Sequence, residues 1–120
     1  RDQIYLSAAA PGFQVINDKH QVGIVLKDFV LPDGGFDVGR TDILIILPAG
    51  YPDAPPDMFY CHPWLRRASN GAYPKCADIP QPFSGITWQR WSRHNSQWRP
   101  GKDGIWTMIK RVEHALREAV

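Results

Sequence analysis

Apolar and polar positions follow two different periods along the chain. Gln21 to Leu31 (QVGIVLKDFVL) and Asp42 to Leu47 (DILIIL) are short, apolar and rich in β-branched residues, which is the pattern of strands. DILIIL shows no polar alternation after its aspartate, so it predicts a central strand covered on both faces. Phe13 to Ile16 predicts the start of another strand, and Asp57 to Cys61 (DMFYC) one more. Asn17-Asp18 and Pro32-Asp33-Gly34-Gly35 supply turn chemistry, and the hairpin-length connections predict an antiparallel meander. Arg1 to Pro11 permits a short helix ended by Pro11-Gly12. After Pro100 the period changes: Ile105, Trp106, Met108, Ile109, Val112, Leu116 and Ala119 recur at three- and four-residue spacing. That spacing predicts an amphipathic helix, with Asp103 as its cap and Glu113 and Arg117 paired along it. The fold class is therefore α+β, a β-meander packed against a helix.

Between His62 and Pro100 the periodicity disappears. Prolines, glycines and tryptophans alternate with basic residues, as in a long ordered loop. From Arg66 to Lys102 there are seven basic residues and one acidic residue, Asp78, whereas the remainder of the chain is net acidic. Trp64, Trp88, Trp91 and Trp98 fall in or beside this stretch. The modest formal net charge of +2 thus conceals a strongly basic, tryptophan-rich region suited to meeting a partner.

Length and composition narrow the classes further. At 120 residues, the chain predicts one domain over residues 1–120. With 43% hydrophobic and 22% charged residues, it is not of disordered composition. Its longest apolar run, Ile43 to Leu47, is too short to span a bilayer, and no secretory signal is visible. Two cysteines, Cys61 and Cys76, are too few for a disulfide framework and fit a reducing compartment, the cytoplasm. Cys61, His62, Cys76 and His94 have no recognised zinc-ligand spacing, so neither a metal nor another cofactor is expected.

Tyr51-Pro52-Asp53-Ala54-Pro55-Pro56 follows the apolar strand directly. Its prolines remove amide donors and force extended backbone, so Tyr51, Pro52, Pro55 and Pro56 form a stiff turn outside the sheet. After the next strand come His62-Pro63, an Asn70-Gly71 pair and Cys76-Ala77-Asp78-Ile79. Ser96-Gln97-Trp98-Arg99-Pro100 then precedes the helix. This ordered set resembles the ubiquitin-conjugating enzyme superfamily over roughly residues 21 to 120, down to the spacing between Tyr51 and Cys76. Thr87 to Pro100 (TWQRWSRHNSQWRP) is similar to the prokaryotic family E of ubiquitin-conjugating-like proteins.

The resemblance implies a minimal ubiquitin-conjugating (UBC/RWD-like) fold with a long Trp/Arg-rich loop insert and without the extra C-terminal helices of eukaryotic members. It implies Cys76 as the catalytic thiol, carrying a ubiquitin-like protein as a thioester and passing it to an amine on a protein substrate. It also implies a ubiquitin-activating-type enzyme as a partner. Three positions depart from the family pattern: Trp64 stands where the family's asparagine follows His-Pro, Tyr73-Pro74-Lys75 precedes the cysteine, and the Cys76–Trp98 interval is long. Asn70 and His94 are the replacement oxyanion donors considered, and Asp78 would orient the attacking lysine. Trp64, Trp88, Arg90, Trp91, Arg93 and Trp98 are expected to bind the modifier or the activating enzyme. The same tract also reads as a satellite core of arginine stems on indole rings, and no nucleic-acid motif accompanies it. The alternative function is a catalytically silent module of the same fold that binds a ubiquitin-like protein or its activating enzyme.

Overall fold

A computed structural model describes residues 2–93 and 97–120. Helix α1 (Asp2–Ala9) precedes strands β1 (Gln14–Asp18), β2 (Gln21–Val30), β3 (Arg40–Leu47) and β4 (Phe59–His62). Strands β5 (Ile79–Phe83) and β6 (Ile86–Trp91) follow, and then helix α2 (Ile105–Glu118). The six strands form one antiparallel sheet in the order β1-β2-β3-β4-β6-β5. The α+β class, the short first helix, the four-strand meander and the terminal helix agree with the sequence reading.

The stretch from His62 to Pro100 is not loop throughout. Residues 79–91 form a hairpin, and β6 pairs with β4, so the long-loop expectation is corrected there. Pro80 and Pro82 lie on β5, which is the sheet edge, where a missing amide donor breaks no ladder on the open side.

DILIIL is apolar throughout because its two faces meet two clusters. Ile43 and Ile45 point toward the helices and pack with Leu26, Phe59, Met108, Val112 and Leu116. Leu44 points the other way, against Val25, Phe83 and Trp88. The sheet curls around this second cluster: Ser84 N–H at the β5–β6 turn donates to Asp18 Oδ2 at 2.9 Å, joining opposite ends of the sheet. Gly23 of β2 makes the curl possible. A β-carbon there would lie 2.7 Å from Leu44 Cδ1 and 3.0 Å from Phe83 Cε1.

Helix α2 buries Ile105, Met108, Val112, Ala115 and Leu116 against the sheet. Its cap residue is Gly104, so the expectation for Asp103 is corrected. Asp103 instead accepts from Arg99 N–H at 2.8 Å, Arg99 Nη2 at 3.1 Å and the Thr107 hydroxyl at 3.0 Å. These bonds, the Arg99 side chain foremost, hold its carboxyl down at about 2. The first amide of the helix, Ile105 N–H, donates to Asp2 Oδ1 of α1 at 3.3 Å.

Candidate functional site

The segment after β4 is held from beneath by one side chain. Gln89 of β6 is fully buried. Its Oε1 accepts from Leu65 N–H at 2.8 Å and from the Trp91 indole at 3.1 Å. Its Nε2 donates to Leu65 O at 3.0 Å and to Ala77 O at 2.8 Å. All four bonding positions of the amide are filled, as a buried polar group requires. The strand thereby grips the segment at two points, one of them the residue next to Cys76.

Above this clamp, Trp64 occupies the position after His62-Pro63. Its indole N–H donates to Thr87 O at 3.0 Å, and its ring meets Tyr73 edge-on at 5.6 Å. The Arg66 guanidinium lies over the same Tyr73 ring at 4.2 Å and donates to Tyr73 Oη at 3.0 Å. The departures at Trp64 and Tyr73 are thus one packing unit that orders the approach to the cysteine.

Cys76 itself is exposed, with a left-handed backbone at φ +56°. Such a conformation is uncommon for a residue with a β-carbon. Flanking bonds fix it: Ser92 N–H donates to Cys76 O at 3.0 Å, and Ala77 N–H to Pro74 O at 3.1 Å. The thiol lines a surface pocket of about 440 Å³ with Arg67, Lys75, Ser92, Arg93, Glu118 and Ala119. Three of these side chains are cationic and one is a carboxylate. Arg93 is anchored by Nη1 donating to Lys75 O at 3.0 Å, with its guanidinium 5.1 Å from the Trp91 ring. A fixed cation in the pocket favours an oxyanion formed on an acyl group held there. Cys61, by contrast, is wholly buried, and burial pushes its thiol well above the usual range.

The other expected residues are distributed unevenly. Asn70 and Asp78 are exposed, and neither lines the Cys76 pocket. The Asn70 Oδ1 accepts from Ala72 N–H at 3.0 Å, closing a local turn. His94 lies outside the described residues. Trp88 and Trp91 offer no surface to a partner: they are 1% and 0% exposed, and Trp91 stacks on Phe59 at 5.2 Å. Their expected docking role is corrected to core packing, because β6 lies inside the sheet. Trp64, Arg90, Arg93 and Trp98 are half-buried and retain outward surface. Among the described residues no group of three or more His, Cys, Asp or Glu side chains could hold a metal ion.

The proline-stiffened turn is fastened on both sides. Trp98 Nε1 donates to Pro52 O at 2.8 Å, and its ring lies 6.2 Å from Tyr51. The Tyr51 hydroxyl donates to Asp2 Oδ2. Sequence reasoning missed Gln89, Arg67, Ser92 and Glu118. An uncharged amide between two tryptophans was the only signal for Gln89, and the other three come to Cys76 only through folding.

No helix among the described residues is long and apolar enough to cross a membrane. Comparison with curated proteins and with solved structures returned no match. The family model of Prokaryotic E2 family E matches residues 1–119. With nearly its whole length matched, the chain belongs to Prokaryotic E2 family E.

Proposed function

We propose that the protein carries a ubiquitin-like modifier as a thioester on Cys76 and transfers it to an amine, acting with an activating enzyme in the cytoplasm. The observation that carries this reading is the exposed Cys76 thiol at the family's motif position, in a pocket it shares with Arg67, Lys75 and Arg93. In the loading step the Cys76 thiolate attacks the acyl carbon of the donor thioester. The donor C–S bond breaks and the donor thiolate departs. In the discharge step an amine attacks the Cys76 thioester, the C–S bond to Cys76 breaks, and the amine proton passes to a nearby acceptor or water. Both steps pass through a tetrahedral oxyanion, and one well-placed donor to it is worth on the order of 10²–10³ in rate. Asn70, whose Oδ1 closes a turn outside the pocket, is the proposed donor through its amide nitrogen, and Asp78 is proposed to orient the incoming amine. His94 is the second candidate donor.

The experiment is incubation with the activating enzyme, the cognate modifier and ATP, followed by electrophoresis without reductant. A reductant-sensitive adduct that disappears in Cys76→Ala and persists in Cys61→Ala is expected. Failure of Cys76 to load would overturn the carrier reading. The second reading is a binding module of the same fold, and it is favoured by Trp64, whose only polar group is already donated to Thr87 O. Retained binding of the modifier without any adduct is its signature.

A further inference from the structure

The Cys76 pocket does not end at Arg93. A groove of about 520 Å³ runs along α2 and shares Arg93 and Glu118 with that pocket, so the two are contiguous. Six cationic side chains line the combined path: Arg67, Lys75, Arg93, Arg99, Lys110 and Arg111, of which Arg99 is ion-paired with Asp103. Only two carboxylates, Asp103 and Glu118, stand against these cations. Asp103 is held by Arg99 and Thr107, and Glu118 contacts His114 one turn away. The Nε atoms of Arg67 and Arg111 are buried without a hydrogen-bond partner among the described residues. The floor is apolar, formed by Phe59, Met108 and Ala115.

From this we infer that the groove binds an acidic peptide, the C-terminal tail of the modifier, with Asp or Glu residues just before the carbonyl delivered to Cys76. The inference rests on the carrier reading and adds the chemistry of the tail. Charge complementarity selects the sign: unmatched guanidinium and ammonium groups over a partly apolar floor recruit carboxylates, and they repel a basic tail. A nucleic acid fits less well, because such sites stack bases on open aromatic faces and Trp88 and Trp91 are buried.

The test uses two fluorescein-labelled heptapeptides ending in two glycines, one with four acidic residues and the other with four lysines, plus a labelled single-stranded oligothymidylate. Anisotropy on the Cys76→Ser protein is expected to show at least tenfold tighter binding of the acidic peptide at low salt, weakening at high salt. The double variant Lys75→Glu/Lys110→Glu, both exposed positions, should abolish or invert the preference, with circular dichroism confirming that it is folded. The benzyl thioesters of the two peptides are then offered to the unmodified protein. The Cys76 thiolate attacks the carbonyl, the C–S bond to the benzyl group's sulfur breaks, and benzyl thiolate leaves and takes up a proton. Intact mass should show acylation at least tenfold faster from the acidic thioester, and none in Cys76→Ala. Equal affinities and equal acylation rates overturn the acidic-tail inference while the carrier reading stands. Preferential acidic binding without acylation leaves the groove assignment standing and counts against the carrier reading. Tighter binding of the oligothymidylate than of the acidic peptide, lost in the lysine double variant, overturns the inference in favour of nucleic acid.

Discussion

The Tyr51 hydroxyl donates to the Asp2 carboxylate across 49 positions of the chain, and the same carboxylate accepts the first amide of α2. One short acidic side chain therefore ties the first helix, the proline turn and the last helix together. Burial first, and then Asp2, pushes the Tyr51 phenol above its usual value. A raised phenol contributes stability that is present below its unfolded value, near pH 10, and lost as pH climbs toward the folded value. Tyr51→Phe should cost about 1 kcal/mol at neutral pH, and its stability should fall less steeply than the parent's above pH 10. Urea melts from pH 7 to 11 measure this, and parallel curves would refute it.

Gln89→Leu keeps the volume of the clamp and removes all its bonds. Leu65 N–H and O, Ala77 O and the Trp91 indole would each lose a partner in a dry interior. The expected loss is about 3 kcal/mol or more, since each stranded buried group costs roughly 1–3 kcal/mol. Chemical denaturation with two-state fitting reads it directly. Stability unchanged within about 0.5 kcal/mol would mean the clamp is dispensable.

The two thiols should separate cleanly in a colorimetric thiol titration. Exposed Cys76 should react within minutes and buried Cys61 only after denaturant is added. The folded protein should therefore give one equivalent and the unfolded protein two. Rapid reaction of both in the folded state would contradict the packing of β4.

Asp103 supplies a prediction at the acid end. Its carboxyl sits at about 2 rather than at the ordinary 3.8 because Arg99 and Thr107 bond its ionised form. A lowered carboxyl stabilises the fold above the unfolded value and loses that contribution as pH falls through the folded one. Asp103→Asn should therefore lower the thermal midpoint at pH 7, with the difference from the parent shrinking between about pH 4 and pH 2. A gap that stays constant down to pH 2 would exclude the carboxylate as its source.

At Gly23, alanine would push a methyl group into Leu44 and Phe83. Overpacking of this kind costs about 1–3 kcal/mol. Denaturant midpoints for Gly23→Ala, and for Gly23→Ala combined with Phe83→Leu, should differ, the second recovering part of the loss. Equal midpoints for the pair would show that the sheet does not close on Phe83.

The elements legible in the sequence were those whose side chains share one environment. DILIIL announced its burial because both of its faces are covered, and α2 announced its register because Met108, Val112 and Leu116 return to the same face. The β5–β6 hairpin was hidden by opposing signals. Pro80 and Pro82 argue against a strand anywhere except at an edge, and Arg90 interrupts an otherwise buried run. Gln89 reads as a surface residue until its four partners are known, and those come from three separated stretches of chain. The cysteine's place was legible through its motif neighbours. Its cationic surroundings were legible only as a basic stretch, and the Glu118 carboxylate that joins them comes from the last helix, far along the chain.

Because β6 both follows Cys76 in sequence and clamps it through Gln89, the span from Ala77 to Gln89 is a loop stapled shut at its base. Its tip, the Ser84-Gly85 turn, points away from that staple toward the first hairpin. Extra residues spliced in at Gly85 would act on the Ser84–Asp18 tie, while the Gln89 staple holds the cysteine end in place. A reporter or an affinity tag grafted there would stand at the end of the hairpin remote from Cys76.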